Sequence, residues 1–350
     1  MSNKSKLKNN FKIIVDKAEW QQTLNDIGHF DFYHTYDYHY LSKKNDEKAV
    51  LFKYTEENYV ICFPFLIRKI KNSAFFDATS VYGYAGPLQK NIDANFNNQH
   101  FIKTINDYFV EENIISVFSR LNPFIKNQSI VLNNIGETKS LGNIVNIDLT
   151  KNLEKQKENF SKTTVRYINK GKKLCDVRLS NCPSDVDNFI NIYYENMERV
   201  KAKKDYYFSK EYFLKFINST DYQTDIFFAI YKETKEIISA ALVVKTNDVV
   251  QYHLSGTKSD YLHLSPIRMI IDEIRISATK ENKTFFNLGG GLGNMNDGIF
   301  RFKSSFSKDF KPFKIWKHIV NLNAYNRLTE EHVTPECDPD FFPLYRCNEL

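Results

Sequence analysis

Apolar positions along this chain fall into short alternating or periodic runs, broken by polar turns. Residues 48–54 and 59–67 are rich in β-branched and aromatic types, and the four residues between them, TEEN, read as a hairpin turn. The run FFDATSVYGYAGPL, 75–88, follows with the turn formers Gly83, Gly86 and Pro87 among aromatics. Phe96, Phe101, Ile105, Tyr108 and Phe109 carry helical spacing over 95–113. Residues 114–118 are again strand-like, with an exit restricted by Pro123. The periodicity breaks over 133–142, NNIGETKSLG, and a domain boundary is expected there.

Beyond the break, 144–149 predicts a strand and 151–172 a long helix, capped by Thr150, with Glu154 in its first turn and a stop at Gly171. Helices over 184–200 and 209–218 precede strands at 224–231, 237–245 and 249–254. A helix over 266–280 begins on Pro266, where the missing N–H costs little. A buried strand at 284–288, a strand at 314–321 and a short helix over 323–330 complete the pattern. Three strands and then a crossover helix make a mixed α+β arrangement, without the βαβα rhythm of a doubly wound sheet. The first half shows a compressed version of that order, although no repeat is visible residue by residue. The expected units are 11–141 and 142–330, followed by an irregular tail, 331–350.

Composition narrows the class. A length of 350 residues suits about two domains, and 42% apolar with 15% aromatic residues is enough for packed cores. The charged fraction of 26% argues against long disorder. No stretch approaches the ~18 apolar residues of a membrane span, and the basic start lacks the apolar segment of a secretory signal. The five cysteines form no CxxC pair, and Cys175 and Cys182 are poorly spaced for zinc. Cys337 and Cys347 read as ordinary thiols, so a reduced cytoplasmic protein without a structural metal or tightly bound cofactor is expected. The net charge of +6 fits an anionic substrate and equally a solvated surface.

The most informative stretch is TFFNLGGGLGNMNDGIFRFKSSF, 284–306. A strand empties into Gly289, Gly290 and Gly291, whose missing Cβ permits sharp turns and close approach to a ligand. Arg301 and Lys303 then flank Phe302 between Phe300 and Phe306. Either Lys303 stabilises a developing oxyanion, or both cations snorkel from a segment that closes the core. GGGLG is no dinucleotide fingerprint and lacks the Lys-Ser/Thr end of a phosphate loop. Lys162, Arg166 and Lys170 share a helix face, with Thr163 and Thr164 beside them, and suit either a phosphate group or solvent. Residues 249, 251 and 253 alternate onto one strand face, making His253 a candidate general base; His263 is a weaker one, and a hydrogen-bonded structural role fits both. Asp77 suits turn capping or a site, while Tyr82 and Tyr84 suit stacking on a base or sugar. Serine-hydrolase, HExxH and kinase signatures are absent.

Taken together, DATSVYGYAGPL (77–88), FSRLNPF (118–124), FSKTTVRYINKGKK (160–173), YYENMERVKAKKDYYF (193–208), YHLSGT (252–257) and FNLGGGLGNMNDGIFRFKSSFS (286–307) resemble the FemAB-like branch of the GNAT superfamily. That branch holds peptidoglycan-bridge aminoacyltransferases and acyltransferases of cell-envelope sugars. The resemblance implies two GNAT-like domains in tandem, each a mixed sheet flanked by helices. It places Phe302 and Lys303 at the reaction centre, Lys162 and Arg166 on acceptor phosphates, and Asp77, Tyr82 and Tyr84 on an acceptor-site wall in the first domain. Its implied reaction is direct transfer, from an acyl-CoA or aminoacyl-tRNA, to an amine of a nucleotide- or lipid-linked saccharide or peptidoglycan precursor. The protein would act in the cytoplasm or at the inner membrane face, without DNA. The long coiled-coil arm of some members is missing, and so is the Q/R-x-x-G-x-G/A loop of ordinary acetyl-CoA users, which leaves the donor open. A non-catalytic assembly module of an envelope-polysaccharide pathway is the rival class. Nucleic-acid binding as the main function would need a broad basic stripe with aromatic platforms.

Overall fold

The computed structural model describes residues 10–180 and 182–349. The chain divides into two compact units: the described residues up to Leu141 with those from Phe313 onward, and Gly142–Pro312.

The first unit opens with β1 (Phe11–Ile14), α1 (Lys17–Ile27) and α2 (Tyr36–Ser42). Asp16 caps α1 by accepting from the Glu19 amide, and Gly28 ends it in a left-handed conformation. The expected hairpin follows as β2 (Lys48–Glu56) and β3 (Tyr59–Lys69), in register from Lys48–Ile67 to Glu56–Tyr59. Next come β4 (Phe76–Thr79), β5 (Leu88–Lys90), α3 (Gln99–Glu111), β6 (Ile114–Arg120) and α4 (Gln128–Val131). The α3 stripe of Phe101, Ile105 and Phe109 is fully buried in a core with Phe52, Phe63 and Trp316. Burying each such aromatic side chain stabilises the fold by roughly 1.5–3 kcal/mol.

The second unit contains most of β7 (Glu137–Asp148), then α5 (Leu153–Lys157), α6 (Lys162–Leu174), β8 (Cys175–Leu179), α7 (Ser184–Arg199) and α8 (Lys210–Ile217). The predicted three-strand meander is β9 (Gln223–Tyr231), β10 (Ile237–Thr246) and β11 (Val249–Thr257). After it come α9 (Ile267–Lys280), β12 (Phe285–Gly289) and α10 (Gly298–Lys303). The core buries Ile270, Ile271 and Ile274 of α9 with Ala241, Val243 and Phe286 of the sheet. The chain then runs through β13 (Asp309–Ile319) and α11 (Leu322–His332).

The fold class is the expected one, mixed α+β in two units, and the pairing order makes the duplication visible. In the first unit β1, β2, β3 and β4 pair antiparallel in turn, β4 pairs parallel with β6, and β6 antiparallel with β13. In the second, β8, β9, β10 and β11 repeat the antiparallel series, β11 pairs parallel with β12, and β12 antiparallel with β7. Each sheet is thus closed by a strand from the other half of the sequence. That exchange moves the residues after Pro312 into the first unit, whereas the sequence pattern assigns 313–330 to the second.

Two local expectations are corrected. The helix expected over 151–172 is two helices, because Asn152 accepts from the Lys155 amide to start α5 and Ser161 accepts from the Thr164 amide to start α6. Thr150 instead turns its hydroxyl onto Asp148, and Gly171 lies inside α6, buried against Met269. Cys337 and Cys347 are joined as a disulfide, so they are not ordinary thiols; Cys62, Cys175 and Cys182 are free. Among the described residues no helix is long and apolar enough to cross a membrane.

Candidate active site

The glycine run does local work at the end of β12. Gly289 has φ +79°, a left-handed conformation that favours glycine, and a Cβ on Gly291 would sit 2.1 Å from the Met295 carbonyl oxygen. The turn is tied to α10 by Asp297, whose carboxylate accepts from the Phe300 amide at 2.8 Å and the Leu292 amide at 2.9 Å. These amides hold its carboxyl below the usual carboxylate range. From α10, Lys303 reaches back and donates to the Gly290 carbonyl at 2.8 Å. The ammonium is half-buried without a salt bridge among the described residues, and burial lowers its pKa to about 8, with Asp297 opposing. Phe302 packs on Phe306 at 5.6 Å between centroids, and Phe306 is fully buried, so α10 is anchored while Lys303 stays on its flank.

Arg268, near the start of α9, completes this arrangement, and the sequence pattern did not single it out. Its guanidinium lies 4.6 Å from the Phe302 ring centroid and donates to Thr164 Oγ1 at 2.6 Å and Ser305 Oγ at 2.8 Å. Its Nε has no hydrogen-bond partner among the described residues, and burial disfavours its charged form. The residue joins the start of the basic helix α6 to the end of α10, which fixes Lys303 relative to that helix. Its partners are 104 and 37 residues distant in sequence, so no spacing could have revealed it.

Lys162, Arg166 and Lys170 are exposed on one face of α6, as their spacing predicts. Arg166 lies over Tyr167 at 5.5 Å, and Arg268 lies over the same ring at 5.8 Å. Thr164, expected to offer its hydroxyl to a ligand, spends it on Ser305 and Arg268. Arg301 is exposed and donates to the Asn296 carbonyl at 3.2 Å. A separate cavity of about 310 Å³ in this unit is lined by Asp148, Lys151, Asp309 and Lys311 and does not include Lys303. Lys151 pairs there with Asp148 at 3.5 Å and Lys311 with Asp309 at 2.9 Å, while Lys308, also in the lining, donates to the Ser304 carbonyl at 2.9 Å.

The histidines do not join this group. The β10–β11 register slips at Leu242/Val243, leaving His253 between the paired residues Tyr252 and Leu254, so the expected alternation breaks there. The His253 ring stacks on Phe216 at 5.0 Å, and burial lowers its pKa to about 4, which weakens it as a base near neutral pH. His263 is exposed, with Nδ1 against the Asp260 carbonyl.

In the first unit, Asp77 does not line a wall. It is fully buried in β4, with Arg68 on one carboxylate oxygen at 2.7 Å and Arg346 and Tyr345 on the other. Tyr82 is 67% exposed, while Tyr84 is half-buried, edge-on to Phe313 at 5.4 Å.

Residues 223–311 match the model of the FemAB family. Among solved structures, the chain is similar to FemX, with a TM-score of 0.70 and 11% identity over 90% of this chain and 99% of that one. It is also similar to a conserved protein of unknown function from Bacteroides thetaiotaomicron, with a TM-score of 0.56 and 7% identity over 88% and 99%. A third is the C-terminal domain of a putative lysylphosphatidylglycerol synthetase from Agrobacterium fabrum, at 0.54 and 12% over 88% and 94%. No curated protein matches. At these identities the structural likenesses show the fold. The matched FemAB segment runs from β9 to the first residues of β13 and contains the glycine turn, Arg268, Phe302 and Lys303. The resemblance to the FemAB-like branch therefore holds in the part of the chain that builds this arrangement.

Proposed function

We propose that the protein is an acyltransferase that moves an acyl or aminoacyl group from an activated ester or thioester to an amine of a cell-envelope precursor. The observation that carries this reading is Lys303: a half-buried, anchored ammonium beside a glycine turn, with a backbone carbonyl as its hydrogen-bond partner and no salt bridge among the described residues. A donor held in this way suits charge that develops on a carbonyl oxygen, because it needs little reorganisation as the charge appears. The acceptor nitrogen forms the new C–N bond, the C–O or C–S bond to the donor breaks, and the proton lost by nitrogen ends on the departing oxygen or sulfur. Gly289, Gly290 and Gly291 serve the turn that holds Lys303, since the space beside Gly291 is taken by the Met295 carbonyl and Asp297, and Phe302 anchors the helix that carries Lys303. Acyl-CoA and aminoacyl-tRNA both present the required carbonyl. The purified protein is tested by offering it each donor class with a sugar-nucleotide amine and weighing the acceptor. A mass gain equal to the acyl group is expected, and no gain with any donor rejects the reading.

Lys162 and Arg166 supply anion binding in this account, because their exposed heads lie one turn apart and arginine forms a planar fork. R166A is expected to weaken affinity for a phosphorylated acceptor and flatten its salt dependence, with little change in melting temperature. Equal affinity in calorimetric titrations of the two proteins removes Arg166 from the acceptor site.

The pH dependence has a definite sign. Lys303 is charged below a pKa of about 8 and loses its charge as pH rises through that value. Turnover at saturating substrates is therefore expected to fall on the alkaline side of this pKa. K303R retains charge there, so its falling limb should move to higher pH. A limb that stays in place in K303R assigns it to another group.

A further inference from the structure

We propose that Arg120, held between the rings of Tyr82 and Phe118 in the first unit, is a recognition site for an oxyanion, a carboxylate or a phosphate of a bound ligand. This goes beyond the reading of Lys303 and does not depend on it. Arg120 is the last residue of β6, and its backbone is fully engaged: its amide donates to Ser80 Oγ at 3.1 Å and its carbonyl accepts from the Ala85 amide at 2.9 Å. The direction of the side chain is therefore set by the sheet. Its guanidinium carbon lies 5.4 Å from the Tyr82 centroid and 5.0 Å from that of Phe118.

What singles out this arginine is the missing partner. Among the described residues its guanidinium makes no salt bridge and no hydrogen bond, whereas Arg68 on β3 has the Asp77 carboxylate. A half-buried cation with unmet N–H donors is costly unless something pairs with it, and aromatic faces satisfy the charge only weakly. Burial lowers the Arg120 pKa and neighbouring Arg68 adds to this, while Tyr82, Tyr38 and Tyr84 oppose it. A second cation nearby is the reverse of what a structural ion pair would use, and it favours an incoming anion. The five donors of a guanidinium form a planar fork that matches carboxylate and phosphate oxygens. Tyr82 is 67% exposed and offers a ring for the rest of the ligand to stack on.

The test is isothermal titration calorimetry of the full chain with three probes: inorganic pyrophosphate, N-acetyl-alanyl-alanine with a free carboxylate, and the same dipeptide as its amide. Wild type is expected to bind pyrophosphate or the free-carboxylate dipeptide, and the arm that binds identifies the anion. The amide should not bind. R120M should weaken binding at least tenfold, R120K by less, and Y82A a few-fold, while R327M, at an exposed arginine of α11, leaves it unchanged. Wild type that binds neither anion overturns the proposal, as does R120M with affinity within twofold of wild type. Loss in R327M with none in R120M overturns it too. Should R120M not fold, unchanged affinity in Y82A together with R120K is decisive against it.

Discussion

K303A is expected to fold, to bind both substrates within a few-fold of wild type, and to turn over roughly 100-fold more slowly, a barrier increase of about 3 kcal/mol. The size follows from the geometry. The Nζ is anchored 2.8 Å from the Gly290 carbonyl, on a helix pinned by Phe302 and Phe306, so the charge meets the reacting oxygen already oriented. Removing one such donor costs about what loss of an oxyanion-hole donor costs elsewhere. K303M separates charge from packing, since it keeps an apolar stem of similar length. If K303M is as slow as K303A, the charge matters; if it recovers, the stem was filling space. A fall in kcat at nearly constant KM marks an interaction made in the transition state. Near-wild-type turnover by both variants, with chemistry rate-limiting, removes Lys303 from the mechanism.

D77A should lose about 3–5 kcal/mol of stability, because it strands two arginines that face a buried carboxylate. The Arg346 side chain is only 9% exposed and that of Arg68 23%, so water compensates the first poorly. Tyr345 also loses its 3.1 Å bond to Asp77, although its hydroxyl keeps Ser116 at 2.7 Å. For a unit of this size the unfolding midpoint should fall by roughly 10 °C, read by differential scanning calorimetry. D77N, which keeps the shape and loses the charge, should lie between wild type and D77A. A midpoint within about 2 °C of wild type, with ligand binding lost, would return Asp77 to an acceptor wall.

The meander, its crossover helix and the strand leading into the glycines were legible because each is a local pattern. So was the α6 charge row, since residues four apart share a helix face whatever surrounds it. Asp77 was misread for the opposite reason. Nothing in FFDATS indicates that Arg346, 269 residues later, folds back onto it. Arg268 went unnoticed on the same ground, since its hydroxyl partners come from α6 and the segment after α10. His253 looked aligned with Val249 and Gln251 until a register slip broke the alternation. The exchange of β7 and β13 was equally hidden, because a strand's own pattern does not say which sheet it closes.

Direct transfer by the unit that carries Lys303 leaves no acyl group resting on the protein. A single-turnover, rapid-quench experiment that weighs acceptor and intact protein in the same samples tests it most directly. The acceptor is expected to gain the acyl mass while the protein's mass stays unchanged at every time point, and K303M to slow this gain roughly 100-fold. An acyl adduct on the protein that forms and decays ahead of the acceptor product would contradict it.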